Sequence, residues 1–199
     1  MAEIEAKIEY GKLKKLVQAM SKQYSVKVGL LASTPGENGL KGSDSISENM
    51  DLAGIGAVQE FGAAINVTEK MRAFLRHEFG INLKKTTTQI VIPTRSWLEM
   101  PLTKDNGKGL RKKLFAKYGN GVTADDILEH ITETGDIMSL AVLIGAAAIE
   151  QIQDAFDTEG FGEWEPNSPV TIAKKGSAKP LVDKGRLRGA IAFEVEKNG

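Results

Sequence analysis

Apolar residues recur along this chain with two periods, and each change of period marks an element. From Ile8 to Ser21, Leu13, Leu16, Val17 and Met20 fall at helical spacing with Lys12, Lys14 and Lys15 outside, which predicts a helix. Tyr24 to Leu31 alternates Val26, Val28 and Leu30 against Ser25 and Lys27, the pattern of a strand. Thr34 to Asp51, rich in Gly, Ser, Asn and Glu, reads as an exposed loop. Leu52 to Phe61 reads as a short helix that Gly62 is placed to end. Thr68 to Phe79 predicts another, capped by Thr68 and followed by Gly80. Gln89 to Ile92 reads as a short strand stopped by Pro93. Ser96 to Met100 reads as one helical turn, Thr103 to Gly109 as a polar loop, and Leu110 to Tyr118 as a basic helix closed by Gly119-Asn120-Gly121.

Thr123-Ala124-Asp125-Asp126 has a hydroxyl cap and acids in the first turn, the start of a helix running to Glu133. The pattern breaks at Gly135, restarts at Asp136 and continues to about Phe156, with Ile137, Ala141, Ile144, Ala148 and Ile152 in one stripe. The uncharged apolar run Ile137 to Ile149 is short for a bilayer and reads as a buried helix. Beyond it, Gly160, Gly162, Trp164 and Pro166 make an irregular stretch, and Ser168-Pro169 is a cap with proline at the first helical position. Gly185 to Ile191 reads as a short helix and Ala192 to Glu196 as a strand. The expected fold is α+β: a small mixed or antiparallel sheet packed by a long helix, with additional helical elaboration. Residues 1–199 read as a single α+β domain, with 102–136 as a helical insertion or arm.

Composition narrows this picture. Of 199 residues, 41% are hydrophobic and 26% charged, the balance of a folded domain large enough to bury a core. The absence of Cys excludes disulfides, thiolate metal sites and Cys nucleophiles. The N-terminus mixes Glu and Lys without an apolar run, so synthesis and folding in the cytosol are expected, and no membrane partner is. Lys plus Arg and Asp plus Glu number 26 each, which argues against a general nucleic-acid or membrane-surface binder. The charge is nevertheless blocked: 119–165 carries eleven acids and no Lys or Arg, whereas 102–118 carries six cations and one acid.

The residues do not assemble a catalytic set. Gly54-Ile55-Gly56 lacks the third glycine of a dinucleotide fingerprint, since Gln59 stands there, and more simply permits close packing. His77-Glu78 lacks the second histidine of a zincin pair, and His130 is remote, so neither metal nor cofactor is expected. Nothing singles out one carboxylate pair among the acids of 123–165, and no serine sits in a nucleophile-elbow frame. Arg111, Lys112, Lys113 and Lys117 would present charge with Leu110, Leu114 and Phe115 packed inward. Their better reading is a salt-bridging face toward the acidic block, within the chain or on a neighbouring subunit, and the rival is phosphate contact by a nucleic-acid-associated protein. Trp97 and Trp164 read equally as core plugs or interface anchors.

Three stretches together resemble tailed-bacteriophage proteins of the virion morphogenesis and tail-completion families, including tail-component families. They are Ile55 to Gly62 (IGAVQEFG), Ile92 to Leu98 (IPTRSWL), and Trp164 to Leu187, which contains WEP, SPVTI, KKGS and KPLVDKGRL. Ser96-Trp97 stands where the family has Pro-Phe, and Lys184 where it has Thr. The resemblance implies a non-enzymatic virion part at the neck, finishing the tail or joining it to the head. It would be assembled in the host cytoplasm as a homo-oligomeric ring, with phage connector and tail proteins as partners and DNA only as channel cargo. A tail terminator or head–tail connector is the near alternative.

On this reading the motif positions are Glu60, Phe61, Gly62, Arg95, Trp97, Trp164, Pro166, Leu181, Asp183, Gly185 and Leu187. Arg95 is expected to tie its turn to a carboxylate, Glu60 or Asp183. Asp183, followed by Gly185, is expected to cap the terminal helix. Trp97, Trp164, Pro166 and Leu181 are expected to pack the C-terminal segment or a neighbouring subunit. The acidic 123–157 helices would line the channel or dock against a neighbour's Arg111-Lys112-Lys113 face.

Overall fold

A computed structural model describes residues 11, 14–15, 17–31, 52–119, 121–182 and 185–198. In chain order the elements are β1 (Tyr24–Gly29), α1 (Leu52–Phe61), β2 (Ala63–Asn66), α2 (Glu69–Phe79), β3 (Gln89–Ile92) and α3 (Glu99–Tyr118). There follow α4 (Ala124–Thr134), α5 (Ile137–Asp157), α6 (Pro169–Lys175), α7 (Arg186–Gly189) and β4 (Ala192–Lys197). The start of the expected first helix, the expected loop at 34–51 and Asp183 lie outside the described residues, while 17–21 are helical. The class is α+β, as the periodicity predicts, and the described strands form two antiparallel pairs. β1 pairs with β4 from Tyr24 opposite Lys197 to Gly29 opposite Ala192, and β2 with β3 from Ala63 opposite Ile92 to Asn66 opposite Gln89.

Helix α5 is the spine. At 1.5 Å per residue its 21 residues extend about 30 Å, long enough for two separate cores to share it. Near its N-terminus Leu140 and Ala141 pack with Leu114 of α3 and with Ala124, Ile127 and Ile131 of α4. Near its C-terminus Ile152, Ala155 and Phe156 pack with Leu52, Trp97, Trp164 and Leu187. Burying each large apolar side chain stabilises the fold by about 1.5–3 kcal/mol. Between the two cores the helix turns small, and Gly145 sits under the ring of Phe193 from β4. A Cβ there would lie 2.2 Å from that ring, so only glycine lets the strand settle on the helix. The length and apolarity of α5 would also suit a membrane span. Its buried face, and the polar Glu150, Gln151 and Asp154 on its second half, make it a core helix here.

The helix ends follow local chemistry. Thr123 and Asp126 form a reciprocal capping box at α4, and Asp136 caps α5 through the Ser139 backbone N–H. Both aspartates are held below the usual carboxylate range, chiefly by hydrogen bonds from Thr123 and Ser139 respectively. In α3 the helical path breaks at 104–107, where Asp105, Asn106 and Gly107 take positive φ, so the polar stretch read as a loop is a kink between two helical pieces. The segment 102–136, read as an arm, instead contributes Leu114, Ile127 and Ile131 to the first core.

A different segment stands apart. β2, α2 and β3 form a unit at 63–92 in which α2 has no buried residue. Arg72 holds it together by donating to the carbonyls of Leu83, Lys84, Lys85 and Thr87. The rings of Phe74 and Phe79 meet edge to face at 5.6 Å. Strand β2 has no counterpart in the sequence reading, because Ala63-Ala64-Ile65-Asn66 offers neither alternation nor β-branched enrichment.

Candidate functional site

The three stretches singled out in the sequence meet at one place, the second core around the C-terminal half of α5. Glu60, on the last turn of α1, is buried at 7% exposure. Its carboxylate accepts from Ser96 Oγ (2.6 Å), Trp97 N (2.7 Å), Leu98 N (2.9 Å) and Glu99 N (3.1 Å). The Leu98 and Glu99 N–H groups are among the donors that a helix leaves unpaired at its start, and Ser96 Oγ accepts from a third, Met100 N, at 2.9 Å. Leu98, the residue at the cap position of α3, cannot supply a side-chain acceptor, so Glu60 caps the helix from 38 residues away. A negative group at a helix N-terminus is further favoured by the backbone dipoles.

Arg95 does not pair with Glu60. Its Nε donates to the Glu165 carbonyl at 2.8 Å and Nη2 to the Pro166 carbonyl at 3.2 Å. Nη1 reaches Gln59 Oε1, and the Arg95 backbone N–H donates to the Gln59 carbonyl at 2.7 Å. The Glu60 form of the expected carboxylate tie is therefore replaced by a clamp on the carbonyls of Glu165 and Pro166, which joins the WEP stretch to the end of α1, while Asp183 lies outside the described residues. Burial lowers the Arg95 pKa from its ordinary value, against the opposing effect of the Glu165 charge.

The aromatic residues fill the space between these polar ties. Trp97 is 3% exposed and its indole N–H donates to the Gly56 carbonyl at 2.9 Å. Gly56 is small because Trp97, Leu30 and Leu187 converge on it: a Cβ would lie 3.0 Å from the Trp97 ring. Phe156 of α5 sits between Trp97 and Trp164, with centroids 6.2 Å and 5.6 Å away, and Trp164 Nε1 donates to the Ser96 carbonyl. Both tryptophans are thus core residues.

The remaining predicted positions divide. Gly62 has φ +73 and would place a Cβ 2.8 Å from Thr94 Oγ1, so the chain turns out of α1 only with glycine there. Leu187 is buried in the second core, and Leu181 packs half-buried against it with φ +57. Pro166 is exposed but offers its carbonyl to Arg95. The terminal helix α7 starts at Gly185, in left-handed conformation, and its expected cap Asp183 lies outside the described residues. Phe61 points to solvent at 73% exposure.

The basic helix is largely occupied within the chain. Lys113 binds Asp154 at 2.6 Å and Lys117 binds Glu150 at 2.5 Å, both on α5, while Lys104 pairs with Glu163. Arg111 donates to the Asn106 carbonyl across the kink, and Lys112 is exposed. The intrachain form of the salt-bridging expectation therefore holds for Lys113 and Lys117. Sequence reasoning missed Asn167, a buried side chain that donates to the carbonyls of Ala178 and Lys179 at 3.1 Å each and so folds the KGS stretch back. Its position between Pro166 and the Ser168 cap is the only signal that would have found it.

His77 lies exposed beside Glu78, and no group of three or more His, Asp or Glu side chains comes within reach of one ion among the described residues. Glu60 and Arg95, the buried charges of the site, are committed to holding main-chain segments in place. No protein-family model, curated protein or solved structure matches this chain.

Proposed function

We propose that this protein is a structural component of a tailed-phage virion, acting at the neck in tail completion or head–tail joining, as a ring of identical subunits around the DNA path. One observation carries the proposal. The three stretches on which the resemblance rests lie apart in sequence, yet Glu60, Arg95, Trp97 and Trp164 join them into one buried node. A shared structural unit explains why they would be kept together. The node's charged groups act on backbone, the work of a scaffold that presents surfaces. A closed ring needs two unlike faces on each subunit; the exposed lysines of 63–92 and the exposed Glu129 and Glu133 of α4, which the intrachain pairs of Lys113 and Lys117 leave out, support such a pair.

The nucleic-acid reading has less support, because Lys113 and Lys117 are directed at α5 carboxylates. A duplex-binding assay over a salt series separates the two: a steep fall in affinity with salt favours that rival. The direct test is deletion of the protein from the phage that encodes it. Particles arrested without joined or finished tails are the expected result, and infectious tailed particles would refute the proposal.

A further inference from the structure

We propose, on the basis of the assembly reading above, that copies of this chain join head to tail by seating the 63–92 arm of one copy on the outer face of α4 and the first turns of α5 of the next. The two surfaces are complementary in charge. Residues 63–92 hold five Lys or Arg against two Glu, a net +3, and Lys70, Lys84 and Lys85 are exposed. Residues 124–136 hold five acids and no Lys or Arg, and Glu129 and Glu133 are exposed and pair with no described cation. This sets α4 apart from the second half of α5, whose Glu150 and Asp154 are taken by Lys117 and Lys113.

Each surface also carries apolar side chains that its own chain leaves in solvent. On the arm these are Phe74 of α2 and Ile65 of β2, while Val91 lies on the other face of the β2–β3 pair; on α4 and the start of α5 they are Leu128, Met138 and Val142. Exposed apolar residues set among charges predominantly of one sign are the composition of a specific docking face. The surfaces attach at different points of α5: the arm leaves the body at Gly62 and Thr94, beside the node at Ile152 and Phe156, whereas α4 packs against Leu140 and Ala141, about 20 Å along the helix. A contact between unlike, distant patches propagates from copy to copy, which is the geometry that closes into rings.

The lack of native cysteine allows a clean test on the full chain. Phe74→Cys and Leu128→Cys are introduced together and the protein is oxidised under low salt. A ladder of covalent multimers is expected from the double variant, and only dimers from a mixture of the two single variants. Two charge reversals sharpen the reading: Lys70→Glu with Lys84→Glu and Lys85→Glu on the arm, and Glu129→Lys with Glu133→Lys on α4. Each set alone is expected to lower cross-linking at least tenfold, and mixing the two sets to restore it. Cross-linking confined to two copies of the Phe74→Cys variant, or a ladder unmoved by either reversal, would overturn the pairing. Sedimentation separates this from the broader reading. Multimers that persist in both charge-reversed proteins without the cross-link overturn the pairing and leave assembly standing. A chain that neither cross-links nor sediments above monomer also overturns it, and the particle deletion then decides assembly alone.

Discussion

The node and the arm hold their polar groups in opposite ways. In the node, Glu60 and Arg95 bond to partners 36 to 71 positions away, so every tie closes a long loop. In the arm, Arg72 reaches carbonyls only 11 to 15 positions on, and α2 buries nothing. The node is therefore coupled to global folding, while the arm can open on its own at little cost to the rest.

Four substitutions or conditions probe that division. Trp97→Ala removes the indole between α1, Phe156 and Leu187 and should destabilise the whole domain by about 4 kcal/mol, read as one cooperative denaturant transition moving to lower midpoint. An unchanged midpoint would mean that the two tryptophans do not unite the second core. Glu60→Ala should cost about 3 kcal/mol, because the N–H groups of Trp97, Leu98 and Glu99 lose their acceptor. Restoring an aspartate at 60 should recover little, the side chain being one methylene short.

Arg72→Ala should leave global stability within about 1 kcal/mol while hydrogen exchange speeds up across 69–88. Equal loss of protection in α5 would contradict the arm's independence. The smallest effect is set by pH. Asp126 and Asp136 are depressed by the caps they make, so their contribution is complete above the ordinary carboxylate value of about 4 and fades as pH falls through the lower folded value. The melting temperature should decline on acidification, and less steeply in Asp126→Asn.

Much of the body was legible in the sequence for physical reasons. Thr123 with Asp126, Thr68 with Gly80, and Ser168 with Pro169 announce their helices through short-range bonding that the chain encodes locally. The stripe on α5 reflects burial along its whole length. The cap of α3 was half hidden: Ser96, which accepts from Met100 N, is local, but the main acceptor, Glu60, belongs to another helix. Arg95's partners were hidden more deeply. They are main-chain oxygens of Glu165 and Pro166, and a carbonyl leaves no mark in residue identity. The resemblance leaves both 63–91 and 102–136 as enlarged regions, and burial is what divides them: α2 has no buried residue, whereas Leu114, Ile127 and Ile131 lie in the first core.

The pairing of β1 with β4 has a consequence for how the protein is made. Lys27 on β1 meets Glu196 on β4, 169 positions later. During translation the early strand waits without its mate, and Gly145 keeps an unfilled seat on the long helix until Phe193 emerges from the ribosome. A chain released prematurely would lack both closures and expose unpaired strand and helix surface to proteolysis.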